Sequence, residues 1–317
     1  MNVSRVSSME SLSKPLQGII PPMVTPLADG DALDVAGLER LVEHILAGGV
    51  SGLFILGTSG EALSLSLRLR QELVERVARQ VAGRVPLLVG VTDTSLVESA
   101  RLAEIAAEAG AAAVVLAPPP YYPVNQDDLC RYVEQLAERL PLPLFLYNMP
   151  SHSKLVYKLA TLRRLLTNPK IIGLKDSSGD MLYFHAVRQL TAVRADFSLF
   201  MGPEELLAEA VLLGADGGVC GGANLRPDLY VQLYQAASQG DLARLHELHG
   251  QVLRIAQAIY TADQSSAGVI KGLKCALAHV GICSERVAPP LQGLHPDQRE
   301  RIHKALVGLG ILPVATS

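Results

Sequence analysis

The chain has 317 residues, 49% of them apolar, with 28 Lys plus Arg against 31 Asp plus Glu. A chain of this length and composition buries a large core, which excludes intrinsic disorder and fibrous structure. The formal charge is only -3 and neither sign is concentrated, so nucleic acid and anionic membrane are poor partners and small-molecule chemistry is the default.

Residues 1–14, MNVSRVSSMESLSK, are polar and lack the apolar stretch of a signal peptide, so a loose lead-in is expected there. No apolar run reaches the roughly 18 residues of a membrane span. Cys130, Cys220, Cys275 and Cys283 lie far apart with no C-x-x-C, which suggests neither a zinc knuckle nor a disulfide framework and suits a reducing cytoplasm.

From residue 15 onward, apolar or β-branched runs recur, each closed by Gly, Pro or a polar cluster. They are GIIPPMVTPL (18–27), GLFILG (52–57), PLLVGV (86–91), AAVVLAPP (112–119), LPLFLYN (142–148), IIGLKD (171–176), FSLFMG (197–202) and GADGGVC (214–220). The segments between them, such as DVAGLERLVEHILAGG and LRLRQELVERVARQVAG, repeat Leu, Val, Ile and Ala at i, i+3, i+4 and i+7 and end in Gly. They read as helices with one apolar stripe. Continuously apolar strands are buried on both faces, as in a parallel sheet covered by helices. That leaves a doubly wound sheet or a (β/α)8 barrel; the count of eight and the absence of G-x-G-x-x-G after the first strand favour the α/β class with a TIM barrel over residues 15–238. Beyond it, LARLHELHGQVLRIAQAIY, the stretch around IKGLKCALAHVGI, and PDQRERIHKALVGLG predict a three-helix extension over 239–317, docked because no flexible linker precedes it.

In such a barrel the chemistry sits at the C-terminal ends of the strands. Lys175 closes the sixth strand in a chain with eight lysines, none of them between 15 and 153 or between 176 and 270. An amine at a barrel mouth is a nucleophile for carbonyl carbon, although a salt bridge to Asp176 or another carboxylate would be the structural alternative. Tyr147 closes the preceding strand with a phenol that can relay a proton, or that simply caps the barrel core. Thr58 and Ser59, between Gly57 and Gly60, offer hydroxyls and open N–H groups to a carboxylate, as an ordinary capping turn also would. Together the three features are what a Schiff-base enzyme acting on a 2-oxo acid requires.

The succession G-T-S-G-E, P-P-Y-Y-P, L-Y-N-M-P, G-L-K-D-S-S-G-D and G-A-D-G-G-V resembles the dihydrodipicolinate synthase and N-acetylneuraminate lyase family over about residues 16–311. The resemblance implies a (β/α)8 barrel with a helical C-terminal region, a dimer of dimers, and no metal or organic cofactor. It implies that Lys175 forms an imine with pyruvate or a longer 2-oxo acid. Tyr147 would relay protons, Thr58 and Ser59 would bind the carboxylate and orient Tyr147, and Tyr122 would complete the site of a neighbouring subunit. Where the synthase branch carries an arginine for the carboxylate of aspartate semialdehyde, this chain has His152, with Lys154 as a nearby substitute cation. Ser177, Gly202, Glu204 and Glu205 match the branch acting on sugar acids, where the acids would accept hydrogen bonds from substrate hydroxyls, whereas Pro203-Glu204-Glu205 also reads as a first helical turn. Gly221 stands where the neuraminate branch carries a serine.

The expected activity is therefore a pyruvate aldolase or lyase acting on a hydroxylated 2-oxo acid of the sugar-acid type. The alternatives are a 4-hydroxy-tetrahydrodipicolinate synthase, a 2-keto-3-deoxy sugar acid dehydratase and a non-catalytic relative. A metal-dependent aldolase finds only His152 at a strand end, since His246 and His249 fall in the tail. A phosphate site at Gly217–Gly222 competes with close packing of small residues.

Overall fold

Prolines shape the first strand of this protein. In the computed structural model, which describes residues 15–263 and 265–313, the apolar run from residue 18 pairs as a strand only over β1 (Gly18–Ile19), because Pro21 and Pro22 bring no N–H to a ladder. The expected lead-in at 1–14 lies outside the described residues. A small antiparallel hairpin follows, β2 (Leu27–Asp29) with β3 (Ala32–Leu33), which the apolar pattern of the sequence does not single out.

The remaining strands are β4 (Leu53–Ile55), β5 (Leu87–Gly90), β6 (Ala113–Leu116), β7 (Leu144–Asn148), β8 (Ile171–Asp176), β9 (Ser198–Met201) and β10 (Gly217–Gly218). Eight parallel strands run in the order β1-β10-β9-β8-β7-β6-β5-β4. The ring closes between the first strand and β4 through a parallel bridge from Pro22 to Phe54, with Phe54 N–H donating to Pro21 O at 3.0 Å and Met23 N–H to Phe54 O at 2.8 Å. Proline carbonyls accept where proline nitrogens cannot donate, and the edge disappears. The eight apolar runs of the sequence each contain one of these strands, and the fold is the TIM-barrel type.

Helices cover the outside: α1 (Val35–Ala47), α2 (Leu67–Val81), α3 (Leu96–Glu108), α4 (Gln126–Arg139), the single turn α5 (Pro150–Ser153), α6 (Leu159–Leu165), α7 (Met181–Thr191), α8 (Leu207–Leu212) and α9 (Pro227–Gln239). Side-chain caps set the starts of α1, α2, α3, α4 and α7, as when Asp34 accepts from Gly37 N–H at 2.9 Å and Asn125 from Asp128 N–H at 2.9 Å. Their apolar stripes meet the outward side chains of the strands in one continuous core, while Ile20, Phe54, Val115, Phe145, Tyr147 and Phe200 belong to a second cluster that fills the barrel.

Three further helices, α10 (Leu242–Tyr260), α11 (Gly268–His279) and α12 (Pro296–Gly308), stack on one another, with α10 also against α9. Among the described residues no helix is long and apolar enough to cross a membrane.

Candidate active site

The position of Lys175 depends on one extra residue. Leu144 of β7 pairs with Ile171 of β8, but Phe145 pairs with Gly173, so Ile172 is bulged out of the register. Strict alternation from Ile171 would turn Lys175 toward the helices; the bulge re-phases the strand and turns it into the barrel beside its register partner Tyr147. Gly173 makes this possible, because a Cβ there would lie 2.2 Å from the Phe145 ring. The Lys175 Nζ rests 4.2 Å from the centre of the Tyr147 ring and 5.4 Å from that of Phe54, with the residue 7% exposed. Among the described residues no carboxylate pairs with it.

Asp176, the alternative partner, faces outward. Its carboxylate accepts from Asn148 Nδ2 at 2.8 Å and from the Ser178 N–H and hydroxyl at 3.1 and 2.9 Å, and burial pushes its pKa up. Tyr147 directs its hydroxyl at Thr58 Oγ1, 3.3 Å away. Lys175, Tyr147 and Thr58 are thus brought together at the mouth of the barrel, with an amine, a phenol and a hydroxyl in sequence.

Thr58 stands on a turn bracketed by two non-glycine residues in the left-handed region, Leu56 (φ 57) and Glu61 (φ 56). Such a conformation costs roughly 1–2 kcal/mol per residue and persists only where its surroundings enforce it. Glu61 is held by an ion pair with the fully buried Lys274 of α11 and by the Ala288 N–H at 2.6 Å, while Lys274 Nζ also donates to Arg286 O at 2.6 Å. The C-terminal region therefore clamps the turn that carries Thr58.

A cavity of about 320 Å³ is lined in part by Tyr147 and Thr58, while Lys175 is not among its lining residues. Its lining also includes Phe54, His152, Pro290 and Leu291. His152 sits at its rim, with a pKa held below the usual histidine value by partial desolvation and by the Lys154 ammonium. Lys154 itself is exposed and donates to Ser151 O at 2.7 Å, outside the cavity lining.

The other expected site residues are placed differently. Ser177 and Gly202 are neighbours: Gly202 N–H donates to Asp176 O at 2.7 Å, and a Cβ on Gly202 would fall 1.9 Å from Ser177 Oγ. Ser59 is half-buried in the same turn as Thr58. Glu204 is not brought to the cavity. It is 2% exposed, accepts from Gly222 N–H at 2.8 Å and from the Tyr230 hydroxyl, and faces the Tyr260 hydroxyl of α10. Glu205 is exposed and outside the lining. Glu204–Leu206 forms a tight 3₁₀ turn, and partners on other elements, Gly222, Tyr230 and Tyr260, hold the first acid inward. Tyr122 is 71% exposed, its ring edge-on to Tyr121 at 4.9 Å, and is not among the residues lining this chain's own cavity. Of the glycines at 217–222, Gly217 serves close packing, since a Cβ there would lie 1.9 Å from Gly18 O. Among the described residues no three His, Cys, Asp or Glu side chains converge as metal ligands.

Sequence reasoning overlooked Glu61, Lys274 and the wall made by Pro290 and Leu291. Lys274 is one of the few lysines in an otherwise apolar helix pattern, GVIKGLKCALAH, and that was the available signal.

The family model of the dihydrodipicolinate synthetase family matches residues 15–308. The chain is 33% identical over 305 residues to the probable 2-dehydro-3-deoxy-D-pentonate aldolase of Escherichia coli K12, covering 95% of this chain and all of the other. It is 35% identical over 292 residues to the 4-hydroxy-tetrahydrodipicolinate synthase of Thermomicrobium roseum, covering 92% and 94% of the two chains. The solved dihydrodipicolinate synthase of Bacteroides thetaiotaomicron superposes with a TM-score of 0.91 at 51% identity, covering 93% of this chain and 99% of that one. A matched sequence over nearly the whole length, on a barrel that carries a buried lysine beside a tyrosine and a threonine at its mouth, makes this chain a member of the dihydrodipicolinate synthetase family.

Proposed function

We propose that the protein is a pyruvate-dependent lyase of the class I aldolase type, acting through an imine at Lys175. The observation that carries this reading is an amine side chain seated on the rings of Tyr147 and Phe54 with its neighbouring carboxylate turned away. Lys175 Nζ attacks C2 of the 2-oxo acid, and the carbinolamine loses water to give the imine. Tyr147 moves the protons, held in place by Thr58. Loss of a C3 proton gives the enamine, whose C3 adds to the carbonyl carbon of an aldehyde; the reverse order cleaves a 4-hydroxy-2-oxo acid. Thr58 and Ser59 hold the substrate carboxylate.

The favoured substrate is a hydroxylated 2-oxo acid whose aldehyde half carries no carboxylate. His152 supports this, because an imidazole kept neutral does not replace a guanidinium fork, and Lys154 is tied to Ser151 O. The second reading is a 4-hydroxy-tetrahydrodipicolinate synthase, favoured by the names of the relatives from T. roseum and B. thetaiotaomicron. In either reading the enzyme works as a homotetramer in which Tyr122 completes a neighbour's relay, an assignment its exposure supports.

Incubation with pyruvate and borohydride is expected to add one pyruvyl mass at Lys175, lost in Lys175→Ala. In the same assay Tyr147→Phe is expected to keep pyruvate affinity while turnover falls by about 10²- to 10⁴-fold. Labelling that persists in Lys175→Ala rules the imine assignment out.

A further inference from the structure

The cavity beyond the imine site is built mainly of carbon. Pro118 and Pro120 follow β6, Met149 follows β7, and Ile270, Pro290 and Leu291 come from the C-terminal region. Most polar side chains in the same lining are already engaged within the chain. Thr58 meets the Tyr147 hydroxyl, Thr92 Oγ1 accepts from Ala117 N–H at 2.9 Å, and Ser153 Oγ lies 3.0 Å from both Met149 O and Leu155 O. Glu61 is taken by Lys274 and Ala288 N–H. Thr92 keeps its hydroxyl proton to donate, and Ser64, Ser266 and the outer nitrogen of His152 remain on exposed residues at the rim. The acids expected to receive sugar hydroxyls are elsewhere, Glu204 enclosed behind the β9 turn and Glu205 outside the lining.

A polyhydroxylated aldehyde needs several convergent partners, because each hydroxyl removed from water without one is penalised. A hydrocarbon chain or ring needs none and gains by leaving water. Resting on the imine reading above, we infer that the aldehyde half of the substrate is aliphatic or aromatic, bearing no hydroxyl beyond the one that carbon-carbon bond formation creates. In that step C3 of the pyruvate enamine bonds to the aldehyde carbon, the aldehyde oxygen takes a proton to become the C4 hydroxyl, and water releases the product from Lys175. The size of the cavity, about 320 Å³, lies at the small end of ligand sites and suits a product of this kind.

The test uses the intact enzyme with pyruvate and propanal, isobutyraldehyde, benzaldehyde, glyceraldehyde or aspartate semialdehyde, each product being quantified by mass. The best of the three apolar aldehydes is expected to exceed both glyceraldehyde and aspartate semialdehyde by at least about tenfold in kcat/KM, and Leu291→Gln is expected to shrink that ratio by roughly threefold or more. Equal or better use of glyceraldehyde or aspartate semialdehyde overturns the inference, as does no turnover of the apolar series. Borohydride trapping on the same preparation separates the two levels. A pyruvyl adduct at Lys175 with the wrong aldehyde preference removes only this inference, while no adduct removes the imine reading as well.

Discussion

A carboxyl group walled off from water keeps its proton to a higher pH than a free one, and Glu204 is such a group. Burial pushes its pKa up to about 7 from an ordinary 4.5, despite the Gly222 N–H and the Tyr230 hydroxyl that favour the charged form. Between those two values the folded chain holds a proton that the unfolded chain has released, so this residue's contribution to stability is complete below about 4.5 and is lost as pH rises toward 7. Glu204→Gln cannot ionise. Denaturant melts of both proteins at about pH 5 and 7.5 are expected to show the variant gaining on the wild type by up to about 3 kcal/mol at the higher pH. Parallel pH profiles would remove Glu204 as the titrating group. The same residue shows where local sequence stops being informative: Pro203-Glu204-Glu205 fits a helix start or a substrate contact, and the partners that decide, Gly222, Tyr230 and Tyr260, lie on other elements.

At the level of elements, the turn after β4 and helix α11 are joined by a wholly enclosed pair, Glu61 with Lys274. Breaking a buried pair from one side strands a charge in a low-dielectric site, at a cost of about 3–5 kcal/mol, whereas removing both charges is far milder. Chemical denaturation is expected to place Lys274→Met well below wild type and the double variant Lys274→Met/Glu61→Gln above that single variant. If the single and double variants unfold together, the pair is not coupled as described. Elements whose signal is local were readable in the sequence: β8 spans the whole of the run IIGLKD, and α2 begins at Leu67 behind its capping Ser66. The hairpin β2–β3 was missed because Asp29 and Ala32 pair across a Gly-Asp turn inside a stretch that also reads as the end of a strand. The clamp on Glu61 was missed because its partner is distant in sequence, and nothing in G-T-S-G-E reveals a buried cation.

On the scale of the whole molecule, Tyr121 and Tyr122 are large, exposed rings on the loop after β6, with Tyr121 held at φ 82. Solvent alone gives no reason to present two tyrosines at the rim of a site, and a second subunit does. Mixing two inactive proteins tests the proposal that Tyr122 acts in trans. Lys175→Ala and Tyr122→Phe subunits are expected to regain activity when exchanged into one oligomer, because one site then has both its own lysine and a neighbour's tyrosine. Mixtures that stay inactive despite exchange, or a fully active monomer, would place Tyr122 outside the mechanism.

Ile172 gives this molecule a parity. A strand has two faces, so whether a residue reaches the substrate depends on whether an even or odd number of residues precedes it, and one unpaired residue changes the answer for everything downstream. Lys175 and Asp176 are adjacent and opposite in charge. Pairing Ile172 with Phe145 instead of leaving it unpaired would exchange a base for an acid at the barrel mouth with every side-chain type at the two positions unchanged. The reactive character of the site is thus stored in a count as much as in a residue.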